Sequence, residues 1–127
     1  MAAQVKNARF GNGAAHRRAN PVAGCPLTAA LSAMGGKWKL ILVFHLSRAP
    51  RHFAALREGC PGISPKVLAE QLRELANDGI VDRREIGEVP APVFYSLTPY
   101  GRSLLPIVES VRQWGHGHLE RERGRSG

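Results

Sequence analysis

One stretch constrains the fold of this chain more than any other, because it carries its own start and stop signals. It reads ISPKVLAEQLRELANDGIV, Ile63 to Val81. Ser64 suits an N-cap, where a side-chain oxygen accepts from a free backbone N–H, and Pro65 fits the first helical position, where no N–H is needed. Gly79 stands where a helix end favours a left-handed residue. Leu68, Leu72 and Leu75 fall on one stripe with the spacing of a buried helix face. Taking Leu68 as the core direction at 100° per residue, Lys66, Glu70, Arg73 and Asn77 lie within about 40° of the opposite side, with Gln71 and Glu74 on the flanks. That polar side is either a solvated face or a face turned toward a partner.

The neighbouring segments narrow the choice. Pro26 opens a short helix with Leu27, Leu31 and Met34 on one face, and Gly35–Gly36 breaks it. KWKLILVFHL is apolar nearly all round, as a central core helix is. SRAPR is a connector, since Pro50 disfavours continued helix. HFAALREG gives another short helix with Phe53 and Leu56 inward, and Cys60 to Gly62 turn the chain into the helix at Ser64. After Gly79 the apolar period changes from 3.6 to about 2 in IVDRREI and VFYSL, with GEVPAP between them, which predicts a hairpin with a stiff tip. Thr98 and Pro99 restart a helix as cap and first residue. Leu104, Val108, Val111 and Trp114 make its apolar row, Pro106 is expected to bend it, and GHGHLERERGRSG from Gly115 is expected to fray. The row could pack on its own domain or form a dimer seam. The fold class is thus mainly α with a small β-hairpin, ordered as a helix-turn-helix followed by a wing. Residues 1–24 read as a flexible basic arm, 25–115 as the domain, and 116–127 as a charged tail.

Charge points to the kind of partner. The 127 residues carry a formal net charge of +8, and the first acidic residue is Glu58, so residues 1–57 hold nine Lys and Arg unopposed. Such an imbalance favours an anionic partner. A helix about 10–12 Å wide fits a major groove of about 12 Å, and a hairpin beside it can reach the backbone or the minor groove. Duplex DNA therefore suits this order of elements. The groove candidates are Ser64, Pro65, Lys66, Glu70, Gln71 and Arg73 on the helix, with Arg83 and Arg84 on the wing and Arg51 before it. Ser64 and Pro65 stand at a helix N-terminus, whose free N–H groups favour phosphate. Glu70 either accepts from a cytosine amino group or orients Lys66 or Arg73. A basic RNA-binding or nucleoid scaffold protein is the alternative, and low aromatic content with no stacking platform counts against it. No phosphate-cradling glycine loop, metal cluster or nucleophile–base set is present, so neither an enzyme nor a cofactor is expected. His116 and His118 lack further ligands at metal spacing, and His45 and His52 read as core-edge residues. LILVFHL is too short to span a bilayer, and two cysteines make no disulfide framework. A cytoplasmic protein is the expectation.

CPLTAALSAMGGKWKLILVFHL, FAALREGCPGISPKVLAEQLRELANDGIVDRR, EVPAPVFYSLTPYGRSLLPIV and QWG together resemble the HxlR family of bacterial regulators, winged helix-turn-helix proteins related to the MarR group. The resemblance covers about Cys25 to Gly115. It implies a homodimeric transcriptional regulator whose Ser64–Asp78 helix enters the major groove of a pseudo-palindromic operator. It also implies that the first and last helices build the dimer, through Leu27, Leu31, Leu104, Val108, Val111 and Trp114. Some members sense oxidants or electrophiles through a cysteine at the position of Cys25. A thiol at a helix N-terminus tends to a lowered pKa. Cys25 is then either a sensor or inert, with Cys60 a candidate resolving thiol and a small-molecule effector the other form of signal. At the wing the chain departs from the family: PAPVFY puts Pro92 and Phe94 where members commonly carry Arg and Glu.

Overall fold

The computed structural model describes residues 24–88 and 91–126. The expected N-terminal arm, apart from Gly24, and Pro90 of the wing tip lie outside them. The element order is α1 (Pro26–Met34), α2 (Lys39–His45), β1 (Arg51–His52), α3 (Phe53–Glu58), α4 (Pro65–Asn77), β2 (Val81–Glu85), β3 (Val93–Leu97), α5 (Pro99–Arg102) and α6 (Leu105–Ser126). The helix-turn-helix is α3 and α4, and the wing is β2 and β3.

The punctuation of α4 is as its sequence demands. Ser64 Oγ accepts from Val67 N–H at 3.1 Å, and Pro65 takes the first position. At the far end Gly79 has φ +75°. Its N–H donates to Ala76 O and that of Ile80 to Leu75 O, the paired bonds that close a helix through a left-handed residue. Leu68, Leu72 and Leu75 are buried with Leu42, Val43 and Leu46 of the α2 segment, Leu56 of α3, and Ile63, Ile80, Val81 and Leu97 around them. The core is therefore where α4 lies against α2 and the root of the wing.

Thr98 knots that root together. Its Oγ1 donates to Gly79 O at 2.5 Å and accepts from Gly101 N–H at 2.8 Å, while its own N–H donates to Ile80 O. Gly101 lies so close that any Cβ there would run into the Ile80 carbonyl. The end of α4, the start of β2 and the start of α5 thus share one tight contact.

Lys39 was counted only as a positive charge. It is 5% exposed, and its Nζ meets Glu74 Oε1 at 2.6 Å. A buried ammonium has to be paired, so α2 grips the flank of α4 by charge as well as by packing.

Four expectations are corrected. First, the sheet has three strands in the order β1-β3-β2, because Arg51 and His52 pair with Tyr95 and Phe94; two residues are too few to show a period of two. Second, the chain after Thr98 is not one bent helix. It breaks at Ser103–Leu104, and Pro106 falls in the first turn of α6, where its missing N–H costs nothing. Third, the segment from Gly115 does not fray. It remains helical to Ser126, supported by Glu120–Arg123 and Glu122–Arg125 pairs at i,i+3 and by arginines at the negative end of the helix. Fourth, Val108 of the expected dimer row is buried in the domain's own core, and Leu104 packs against that core.

The Lys39–Glu74 pair is asymmetric, since Glu74 is 36% exposed on its side chain and Lys39 is not. Glu74→Gln leaves an ammonium stranded, whereas Lys39→Met leaves a carboxylate that can turn to water. The first change is expected to cost about 2–4 kcal/mol and the second about 1 or less. Urea unfolding of the two variants measures the order directly; a Lys39→Met variant that is the less stable would contradict it.

Candidate nucleic-acid interface

The outward face of α4 is built by the same periodicity that buries its leucines. Ser64, Pro65, Lys66, Ala69 and Arg73 are exposed, and Glu70 and Gln71 are half-buried. Among the described residues Lys66, Glu70 and Arg73 enter no ion pair. Neither Lys66 nor Arg73 is therefore held by Glu70 in the free protein. Asn77 is half-buried, with a side-chain oxygen that finds no hydrogen-bond partner, so it belongs to the base of the helix more than to its outward face. Glu74 is drawn inward by Lys39, which removes one negative charge from the edge of the outward side.

Beside α4, which packs against β2, the sheet sets out two cross-strand rows. Arg51, Tyr95 and Arg83 stand opposite one another on three strands, and so do His52, Phe94 and Arg84. Residues directly opposed across a sheet point to the same face, so each row brings arginine beside an aromatic ring. Arg83 lies 3.6 Å from Glu85, an exposed contact worth little. Arg84 is exposed and enters no ion pair among the described residues. Arg51 is steered by its Nε–H, which donates to His45 O at 3.2 Å. Phe94 is half-buried with its ring edge against His52 at 6.0 Å, so its apolar surface is used in packing. His52 is exposed and caps α3, its Nδ1 accepting from Ala55 N–H at 3.1 Å, whereas the His45 ring packs on Gly59. Sequence reading missed Ala69 and the two rows. Ala69 carries no charge to attract attention, and the rows exist only because β1 joins the sheet.

Away from this surface, α1, α2 and α6 leave apolar side chains uncovered. Leu27, Leu31, Ile41, Phe44, Ile107, Val111 and Trp114 are all exposed, Trp114 at 71%. On α6 the exposed row is Ile107, Val111 and Trp114, continued by His118, whose ring stacks on Trp114 at 5.1 Å. Leu104 and Val108 point to the core instead. Arg112 lies over the Phe44 ring at 5.1 Å and fixes α6 against α2. No single helix among the described residues is long and apolar enough to cross a membrane.

Cys25 is exposed at the N-cap of α1. Its sulfur makes no cap hydrogen bond of ordinary geometry. The Thr28 hydroxyl and the N–H groups of Thr28 and Leu27 nonetheless lie near enough to lower its pKa, because they stabilise the thiolate. Cys60 is the opposite case: it is 1% exposed in the core, and burial raises its pKa. Burial makes Cys60 the slower of the two thiols in exchange. At pH 7 one thiol is expected to react with iodoacetamide in the native protein, and peptide mapping should identify it as Cys25. The rate should rise with pH through a midpoint below that of an ordinary cysteine, because a lowered pKa leaves more thiolate at a given pH. Preferential labelling of Cys60 would contradict this.

The geometry is that of proteins already known. The HxlR-like helix-turn-helix family matches residues 33–123. The HTH-type transcriptional regulator YybR of Bacillus subtilis is 45% identical over 97 residues, 76% of this chain and 78% of its own length. Among solved structures, the redox regulator HypR in its oxidised form is 45% identical with a TM-score of 0.70, covering 73% of this chain and 96% of that one. In its reduced form HypR gives a TM-score of 0.74 at 41% identity, covering 79% and 99%. With its helix-turn-helix, its wing and these relatives, the chain belongs to the HxlR-like helix-turn-helix family and is a DNA-binding transcriptional regulator.

Proposed function

We propose that the protein acts as a homodimer on a pseudo-palindromic operator, with the outward face of α4 in the major groove and the sheet arginines on the flanking backbone. The observation that carries this reading is that Lys66 and Arg73, on the exposed side of α4, enter no ion pair among the described residues. Ser64 and Pro65 offer the helix N-terminus to a phosphate, and Arg51, Arg83 and Arg84 supply further positive charge. The uncovered apolar residues of α1, α2 and α6 support a second copy as their occupant. Because a twofold dimer presents two identical helices, half-sites one helical turn apart, about 34–36 Å, match it. The reading gives the protein no catalytic role and places its work in the cytoplasm.

The same reading gives Cys25 the signal. Its exposure, its position at the start of a helix with uncovered leucines, and its lowered pKa suit a thiolate that reacts with oxidants or electrophiles. Modification there would alter the seam between copies and with it the spacing of the reading helices.

Two measurements test these statements. Lys66→Ala with Arg73→Ala should weaken operator binding at least tenfold in a gel shift at fixed salt, while sedimentation still gives a dimer; unchanged affinity removes α4 from the groove. Cys25→Ser should leave basal binding intact and abolish release by oxidant, and a variant that responds like the wild type takes the signal away from Cys25.

A further inference from the structure

Lys66, Ala69 and Arg73 form one row on the exposed side of α4, since residues three and four apart are neighbours on a helix surface. Lys66 and Arg73 are separated by about 10 Å along the axis, close to three base steps of duplex. A duplex that meets both charges runs between Ala69 and Glu70, which flank the line joining them. The methyl group of Ala69 is exposed, whereas Leu68 and Leu72 beside it are buried in the core. A bare methyl can gain nothing from a phosphate, whose oxygens need donors. On the base edges of the major groove it has one apolar counterpart, the C5-methyl of thymine.

We infer that Ala69 is a specificity-determining residue, reading a thymine methyl between the contacts made by Lys66 and Arg73. This rests on the placement of α4 in the major groove proposed above. Two flanking cations fix the register, and the small residue between them lets the helix approach closely enough for methyl to touch methyl. Each half-site then contains one thymine whose methyl matters more than those of its neighbours.

The test uses the full chain and the tightest duplex selected from a random-sequence pool. Each thymine is replaced in turn by deoxyuracil, which lacks only the methyl. One position per half-site should lose about fourfold in affinity, the size expected for one buried methyl group. Ala69→Gly should bind the parent duplex more weakly and be indifferent to deoxyuracil at that position, while keeping the response to changes at other base pairs. Because glycine also loosens a helix, Ala69→Gln provides a second variant with good helix propensity, and it too should lose the deoxyuracil effect. If tight, sequence-selective binding is found but no thymine behaves differently between wild type and variants, the inference fails and the regulator reading stands. If no duplex is selected, both fail together.

Discussion

The buried ammonium of Lys39 is the constraint on which the arrangement of helices depends. A charge with so little access to water is tolerable only beside its carboxylate, so α2 and α4 have a single acceptable register. Sliding α4 by one turn would keep leucines against leucines but would part Lys39 from Glu74. Apolar packing supplies most of the stabilisation, because Leu42, Leu68, Leu72 and Leu75 are fully or almost fully buried. The ion pair supplies selectivity among the ways those leucines could pack. It acts on α4 itself, since Glu74 sits on that helix immediately after Arg73. By engaging Glu74 it also leaves the outward side of α4 more positive than its sequence alone would make it.

Much of this was legible in the sequence because local chemistry and global fold agree. Ser64, Pro65 and Gly79 delimit α4, and Thr98 and Pro99 start α5 as read. The change of period after Gly79 gives β2 and β3 with little error. What escaped detection depends on distance in sequence. Lys39 and Glu74 are 35 positions apart, and nothing local marks either as inward-facing. Arg51 and His52 become a strand only through Tyr95 and Phe94. Val108 and Val111 fall in the same apolar row by spacing, yet one is buried and the other exposed, because α2 covers only part of α6. The tail is the converse case. Glycines at 115 and 117 suggested disorder, and the short-range pairing of Glu120 and Glu122 with arginines one turn on outweighs them.

The two halves of the molecule differ in the kind of surface they expose. One half, from α3 through the wing, shows charge with an exposed methyl at Ala69. The other half, made by α1, α2 and α6, shows leucine, isoleucine, phenylalanine and tryptophan. Exposed apolar area on that scale is unfavourable in an isolated protein, which is why the proposed assembly places association and DNA contact on separate surfaces. Cys25 begins the apolar half. Under the proposed assembly, chemistry at its sulfur is felt first by the seam between copies.

The contact of Gly101 with the Ile80 carbonyl limits how such a message can be carried. There is no slack at that point for even a methyl group, and Thr98 bonds to both sides of it. The end of α4, the wing root and α5 are therefore clamped into one unit that no side chain can wedge apart, and the Ser103–Leu104 turn is the nearest break in the chain between that unit and α6.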